Sequence, residues 1–462
     1  MQIYCFFLNN TNISCFFCDF FLFSLENPQK STIFASGMKE RIQKIAHSEL
    51  VRNSAKLLSA NVIAQAIGLL VYPILTRLYS PEDFGLLNLF LSIGGVLVLL
   101  STAEFQYAIV LPKKDEDARG LVHICGLLLL ITTGIVLLSV PFSKPIARLF
   151  NTPELANWYW LMPLFVLAMG LWNILNYWYI RRKQFGAISR YQISQSVLSS
   201  IMKIGIGSIK NIHFGLIIGS LFGPLLPILV HLFHVTADKL LCNLQPKKYY
   251  RKLMFQYKNF PLFSFPRALL NQLGSNMPTL LLTPFFGLAE IGFFSMSITL
   301  AFRPINMLCS SIYQVMYQRL AERVINKDSI WKLLVKYIIR IGSVSVLLFL
   351  ILFFILPDMV TFLLGEEWLT TSKYIQLMLP WLLMVILVST TSYITDIFQR
   401  QRGYMIFEII YVISRLIALT IGIINDSMYL SIRLFCTVSF LILSVEFIWF
   451  THIVYTYEKS IK

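Results

Sequence analysis

Charge is scarce in this chain: Asp, Glu, Lys and Arg make up only 13% of its 462 residues, against about 25% in soluble domains. No polar stretch is long enough to cover a soluble core, which excludes an ordinary soluble enzyme. A Walker A phosphate loop is also missing, so ATP is not expected to be the energy source. The seven cysteines supply neither a disulfide framework nor a metal cluster. Cys125, Cys242, Cys309 and Cys436 stand singly, and Cys15-Phe-Phe-Cys18 has redox spacing without the alternating strand and helix context such a motif needs. His231 and His234 share a helix face, but no third ligand accompanies them, so no metal site is expected.

Apolar residues are abundant instead, at 56% of the chain against about 45–50% on average. A helix needs about 20 apolar residues to cross the hydrocarbon layer. That ruler gives about twelve spans, near 54–76, 84–110, 119–141, 158–180, 187–209, 212–235, 260–285, 288–317, 333–356, 372–398, 404–424 and 428–452. The fold class is therefore all-α membrane protein with about 12 transmembrane helices. The net charge of +16 is mostly a matter of sidedness. One set of connections holds Lys113, Lys114, Arg181, Arg182, Lys183, Arg319, Arg323, Arg400 and Arg402, whereas the other holds only scattered cations such as Lys144, Arg148 and Lys373. The positive-inside rule puts both termini in the cytoplasm, and no nucleic-acid role is needed to explain the charge.

Residues 1–37 combine a Phe-rich run with a single cation, Lys30, and lack the pattern of a signal peptide. Met38 is the expected start, with 1–37 as an extension. The longest polar connection, 236–259, carries Lys239, Lys247, Lys248, Arg251, Lys252 and Lys258 and divides the spans six and six. It reads as a cytoplasmic linker between lobes 38–235 and 260–462. Each lobe has an acidic, apolar, Gly, apolar, apolar pattern entering its second span, Asp83-Phe-Gly85-Leu-Leu and Glu290-Ile-Gly292-Phe-Phe. This suits a parallel internal repeat with a substrate path between lobes.

Ser80-Pro81-Glu82-Asp83 reads as a helix start, with Ser80 as cap, Pro81 at the first helical position and acids at the positive end of the dipole. Its rival is a carboxylate base in an outer loop. Within the membrane a charge costs on the order of 2.5–3.5 kcal/mol even on lenient scales, so each needs a reason. Arg303 and Arg415 fall near mid-membrane, with Lys203 and Arg267 nearer the edges, and Arg433 close enough to the outer surface to snorkel. Glu104, Asp396, Glu408 and Glu446 lie toward the cytoplasmic side. Glu408 and Arg415 are seven apart, on one helix face, so neutralisation of one by the other stands beside a cationic cavity as an explanation. Arginine suits phosphate because its planar fork donates two hydrogen bonds and stays charged when desolvated. Pro73 and Pro304 would each free a carbonyl and bend their helices.

Several stretches in order carry a family signature: ANVIAQAIGLLVYPILTRLYSPEDFGLLNLFLSI from Ala60, AIVLPKKDEDA from Ala108, FPLFSFPRALLNQLGSNMPTLLLTPFFG from Phe260, IGFFSMSITLAFRPINMLCSSIYQVMYQRLAE from Ile291, and LGEEWLTTSKYIQLMLPW from Leu364. From about Ser54 onward the chain resembles the bacterial polysaccharide biosynthesis family of oligosaccharide-lipid flippases, typified by O-antigen translocases, within the multidrug/oligosaccharidyl-lipid/polysaccharide exporter superfamily. Near Ser389 to Ile394 the family has a proline where this chain reads STTSYI. The resemblance implies two six-helix lobes around a central cavity and alternating access, with no enzyme activity and no cofactor. It implies transport of an undecaprenyl-diphosphate-linked oligosaccharide, such as an O-antigen unit of lipopolysaccharide, across the bacterial inner membrane. Expected partners are that lipid-linked oligosaccharide, membrane lipids and other polysaccharide-assembly proteins. Family motif positions Gln65, Pro73, Arg77, Tyr79, Gly85 and Pro304 are expected to serve packing.

The expected substrate-binding residues are Arg303, Arg415, Arg267 and Lys203, with Glu408, Asp396 and Glu104 in coupling or charge-balancing roles. A membrane glycan polymerase or ligase using the same lipid is one alternative, but its acceptor would need a substantial outer loop, and the longest here are about 142–157 and 357–371. An ion-coupled exporter of small molecules is another; cationic drugs favour acids in the cavity, opposite in sign to Arg303 and Arg415.

Overall fold

A computed structural model describes residues 49–209, 214–236, 245–326 and 328–461. The extension 1–37, the start at Met38 and Cys242 lie outside them. Among the described residues every regular element is a helix. The long ones are α1 (Glu49–Leu78), α2 (Pro81–Thr102), α3 (Asp115–Ser139), α4 (Met162–Arg181), α5 (Phe185–Gly207) and α6 (Gly215–Thr236). After the short basic α7 (Lys247–Gln256) come α8 (Phe265–Ser297), α9 (Arg303–Ile325), α10 (Trp331–Leu364), α11 (Leu369–Thr391), α12 (Gln401–Ile424) and α13 (Met428–Ile461).

Ten described segments are long and apolar enough to cross a membrane, making this an integral multi-pass protein. The difference from twelve has two causes. Phe260–Ser310 counts as one segment, yet Gly287 (φ 79°, ψ 175°) breaks it into two helices at the point where the sequence divides spans seven and eight. The other is α5, a helix of 23 residues whose serines and charges leave it outside that set.

Helix starts follow local chemistry. At α2 the Ser80 hydroxyl accepts from the Asp83 N–H (3.4 Å) while the Asp83 carboxylate accepts from the Ser80 N–H (3.0 Å), and Pro81 occupies the first turn. This reciprocal cap bears out the structural reading of the motif. Three acids, Asp115, Glu116 and Asp117, open α3 at the positive end of its dipole. There Arg181, at the end of α4, donates to Asp115 (2.8 Å) and to the Pro112 carbonyl (2.7 Å), pinning the preceding loop.

Residues 56–295 form one compact unit and residues 296–462 belong to another. In the first, α4 packs against α2, α3 and α6, around a core that includes Phe90 and Phe165 in edge contact. Tyr79 is buried and donates to the Lys203 carbonyl (2.7 Å), with Gly207 and Gly215 against its ring. His231 bonds Tyr179 (2.9 Å) inside an aromatic cluster, and no group of three metal-ligating side chains occurs among the described residues. The linker helix α7 docks on α3: Tyr249 donates to Asp117 (2.5 Å), and Leu253 meets Gly120. Burial, then the Asp117 carboxylate, hold the Tyr249 hydroxyl above its ordinary pKa.

The two repeat glycines meet within this unit. A Cβ on Gly85 would collide with the Leu288 carbonyl, and one on Gly292 with the Pro81 carbonyl. Each glycine thus faces the residue four positions before the other, a reciprocal crossing that only hydrogen at Cα permits. Below it α2 is tied to α8 by Asn88 donating to Thr279 (2.8 Å) and Ser92 to Asn276 (3.1 Å).

In the second unit α11 is central. Its segment has 61% of its most apolar stretch buried, against 11% for α10, which turns leucine and phenylalanine outward as a helix in lipid does. Where the family's proline is missing, α11 ends at a joint made by hydroxyl groups. Thr390, Thr391 and Ser392 bond back to the carbonyls of Ile386, Leu387 and Ser389, and a short helix, Tyr393–Ile397, follows. Side-chain bonds of this kind bend helices, so the joint forms without proline.

Candidate functional site

Residues with an unusual charge or backbone occur in both units. Immediately before Arg303 the chain makes a π-helical turn, Ile298–Phe302, closed by the Arg303 N–H on the Ile298 carbonyl. Pro304 supplies no N–H, and the wide turn absorbs the break. The same device precedes Arg267 in the other unit: a π-turn Phe260–Ser264 is closed by Phe265, and Pro266 follows. Both arginines are exposed.

Arg415 sits differently. Its guanidinium lies 3.9 Å from the Phe435 ring centre, 4.7 Å from Tyr411 and 5.8 Å from Trp381. Ring faces offset part of the cost of desolvating a cation. No carboxylate lies within ion-pair distance among the described residues, and its Nε has no acceptor. The cage is braced: Trp381 donates to the Tyr411 hydroxyl (3.1 Å), meets Phe435 edge-on and stacks on Phe302 at 5.6 Å. Phe302 is the chain neighbour of Arg303. The aromatic cluster therefore holds Arg415 and includes the residue that precedes Arg303 in the chain.

Glu408 is exposed and not ion-paired with Arg415; the Tyr404 hydroxyl approaches it, with Glu446 and Asp396 close by. Asp396 accepts from Tyr313 (2.9 Å). Glu446 is 4% exposed, and one of its oxygens has no partner among the described residues. In the unit 56–295, Glu104 is buried at a left-handed backbone position (φ 66°), in electrostatic reach of Arg267. Lys203 is half-buried in the same unit, its stem against Gly219. The structure thus links Arg415 through Trp381 to Phe302 in one unit and sets Arg267 in electrostatic reach of Glu104 in the other.

Sequence reasoning overlooked the rings around Arg415 and the burial of Glu446. Tyr411 was detectable, four residues before Arg415 on one helix face. Trp381 and Phe435 reach it only through the packing of α11 and α13 on α12, which no local spacing announces.

A family described as "Polysaccharide biosynthesis protein" matches residues 74–373. The succinoglycan biosynthesis transport protein ExoT of Rhizobium meliloti (strain 1021) is 22% identical over 260 residues, which is 55% of this chain and 50% of that protein. The chain thus spans half the length of that curated relative. An inward-facing multidrug resistance MATE family transporter of the MOP superfamily superposes with a TM-score of 0.67 at 13% identity, over 88% of this chain and 99% of its own. The lipid II flippase MurJ in an inward closed conformation gives 0.65 at 15% identity, over 85% and 86%. These likenesses show that the chain shares the fold of those transporters. With the sequence match across most of its helices, the chain belongs to the polysaccharide biosynthesis protein family.

Proposed function

We propose that this protein flips an undecaprenyl-diphosphate-linked oligosaccharide from the cytoplasmic to the outer leaflet of the bacterial inner membrane by alternating access. Residues 38–235 and 260–462 act as the lobes, 236–259 as their linker, and both termini face the cytoplasm. Arg303 and Arg415 receive the diphosphate, Arg267 and Lys203 contribute positive potential, and the polyprenyl tail stays in lipid. Glu408, Asp396 and Glu104 balance these charges or couple an ion.

One observation carries the reading: in a polysaccharide-biosynthesis chain, Arg415 is held by ring faces with no carboxylate in ion-pair contact among the described residues, Glu408 acting on it only from a longer distance. A guanidinium kept among rings without an ion-paired carboxylate suits an anionic ligand, and a diphosphate answers its fork geometry. The relative's name, a succinoglycan transport protein, agrees with cargo of this kind. No bond in the substrate is made or broken; two conformations that expose one site to opposite sides suffice.

The test is transport by purified protein in liposomes loaded on one leaflet with a fluorescent prenyl-diphosphate saccharide. Protein-dependent arrival at the opposite leaflet, reduced in Arg303→Ala and Arg415→Ala, is expected. Movement of the saccharide at the protein-free rate would refute the proposal. In a strain lacking the protein, the accumulated lipid-linked saccharide identifies the cargo.

A further inference from the structure

The short helix α7 has two unlike faces. Tyr249 and Leu253, one turn apart, meet Asp117 and Gly120 of α3, and the Tyr250 hydroxyl lies 2.9 Å from His123 Nδ1. On the other side Lys247, Arg251 and Phe255 follow at four-residue steps, with Lys248, Lys252 and Met254 beside them, and all six are exposed. Phe255 is 70% exposed, an aromatic ring set among cations. The Lys258 ammonium stands 4.1 Å from its ring centre.

Sidedness accounts for a surplus of cations in a connection of this kind but not for their arrangement, with every basic residue of α7 on the face away from α3. The protein does not neutralise them either. From Lys239 to Ala289 the sequence has no acidic residue. Among the described residues no carboxylate is within ion-pair distance of Lys247, Lys248, Arg251 or Lys252.

Two attachments fix the level of this face. Asp117 and Gly120 belong to the first turns of Asp115–Leu149, a segment long and apolar enough to cross the membrane. At its other end α7 stops at Gln256, four positions before Phe260, where the next such segment begins. Both attachments thus lie where an apolar span meets a polar connection, the level of the lipid headgroups. Exposed Leu262 and Phe263 continue the apolar surface from Phe255 into that span. A helix face that mixes cations with an aromatic ring at this depth has the composition of an interfacial helix. An anionic leaflet is the adjoining surface of opposite charge, whereas a nucleic acid or an acidic protein would answer the cations and leave Met254 and Phe255 in water.

We propose that the outer face of α7 binds anionic lipid headgroups at the membrane surface, with Lys247, Lys248, Arg251 and Lys252 on the phosphates and Met254 and Phe255 dipping into the acyl boundary. The bound lipid tethers the connection that runs into the π-turn Phe260–Ser264 and α8, so the headgroup layer holds the entry of that helix in place. Neither Arg303 nor Arg415 takes part, and the tether is independent of the cargo.

The test uses the full chain in nanodiscs of phosphatidylcholine with a minority of phosphatidylglycerol. Benzoylphenylalanine replaces Met254 on α7 or, as a control, Leu350 on the outward face of α10 (58% exposed), and the photoadducts are identified by mass. At about fivefold per basic residue beside an anionic surface, phosphatidylglycerol at Met254 should exceed its share of the bilayer by at least that factor. At Leu350 the adducts should mirror the bulk mixture. The combined variant Lys247→Gln, Lys248→Gln, Arg251→Gln, Lys252→Gln leaves the Tyr249 and Leu253 contacts in place and should return the Met254 adducts to the bulk ratio. Removing the same number of exposed charges elsewhere in this unit, with Lys113→Gln, Lys114→Gln, Lys183→Gln and Arg190→Gln, should leave the enrichment intact. Adducts at the bulk ratio in the parent chain, or enrichment that survives the α7 substitutions, would overturn the proposal; so would an equal loss in the charge-matched control, which would reduce the effect to overall charge. In native membranes, polypeptide adducts at Met254 in place of lipid would assign the face to a protein partner and overturn it as well.

Discussion

Arg415→Lys separates substrate binding from charge balance. Lysine keeps the positive charge but loses the planar fork, so a diphosphate keeps its Coulomb attraction and loses one of two parallel hydrogen bonds. A hydrogen bond to a charged group is worth about 1.5–3 kcal/mol. Three rings surround the guanidinium at 3.9, 4.7 and 5.8 Å, and a flexible ammonium meets them less well, at a cost of about 0.5–1 kcal/mol. The expected loss is about 2–4 kcal/mol of binding free energy, or about 30- to 700-fold in affinity for undecaprenyl diphosphate. Arg415→Ala should lose more. The assay is that affinity, together with surface glycan per molecule of inserted protein. Because no ion pair joins Glu408 to Arg415, adding Glu408→Gln to Arg415→Ala should recover neither quantity. Full recovery in the double variant, or wild-type affinity in Arg415→Lys, would refute the reasoning and leave Arg303 as the remaining mid-membrane candidate.

Cysteines placed singly at Ser143 and Asp426 should label with an impermeant reagent in intact cells, and one at Asn326 should not; labelling at Asn326 would reverse the orientation. Gly85→Val or Gly292→Val drives a side chain into a backbone carbonyl and should lower stability by about 3 kcal/mol, the upper end of overpacking costs; an unaltered thermal midpoint in detergent would contradict the crossing. Arg181→Ala, which removes bonds to Asp115 and Pro112, should cost about 2 kcal/mol, less than a buried pair because Asp115 is partly solvated. Glu446→Gln, which removes a buried carboxylate with an unpartnered oxygen, should insert and fold at least as well as the parent, read as yield of inserted protein.

The helices were legible because membrane crossing imposes one long apolar length per span, and even α5, diluted by serine, kept its helical register. The start of α2 was legible for a different reason: Ser80, Pro81 and Asp83 act within one turn, so their spacing is the structure. Gly85 and Gly292 were visible as a repeated pattern, but their mutual contact was not, since a pattern says that two segments are alike and not that they touch. The joint after Thr391 was misleading in outline, because the expected proline is replaced by three hydroxyls whose back-bonding has no single sequence mark. At the site, the charges stood out against the apolar background, while the rings that cage Arg415 did not. Aromatic residues are 14% of the chain, and only packing distinguishes those around the guanidinium from the rest.

Both π-turns place an arginine beside a proline at a point where the helix already departs from regular bonding. Phe265-Pro266-Arg267 and Phe302-Arg303-Pro304 use the same elements in different order, one in each compact unit. A proline leaves one carbonyl of the preceding turn without its helical donor, and the wide turn lets the backbone bend there at lower cost than in a regular helix. An anion held by a residue next to such a bend feels the bend directly, since a change in helix direction moves the guanidinium relative to everything beyond it. Ligand can shift a two-state equilibrium only through a difference in affinity between the states. On the proposed function, cations mounted at bends would supply that difference for an anionic head.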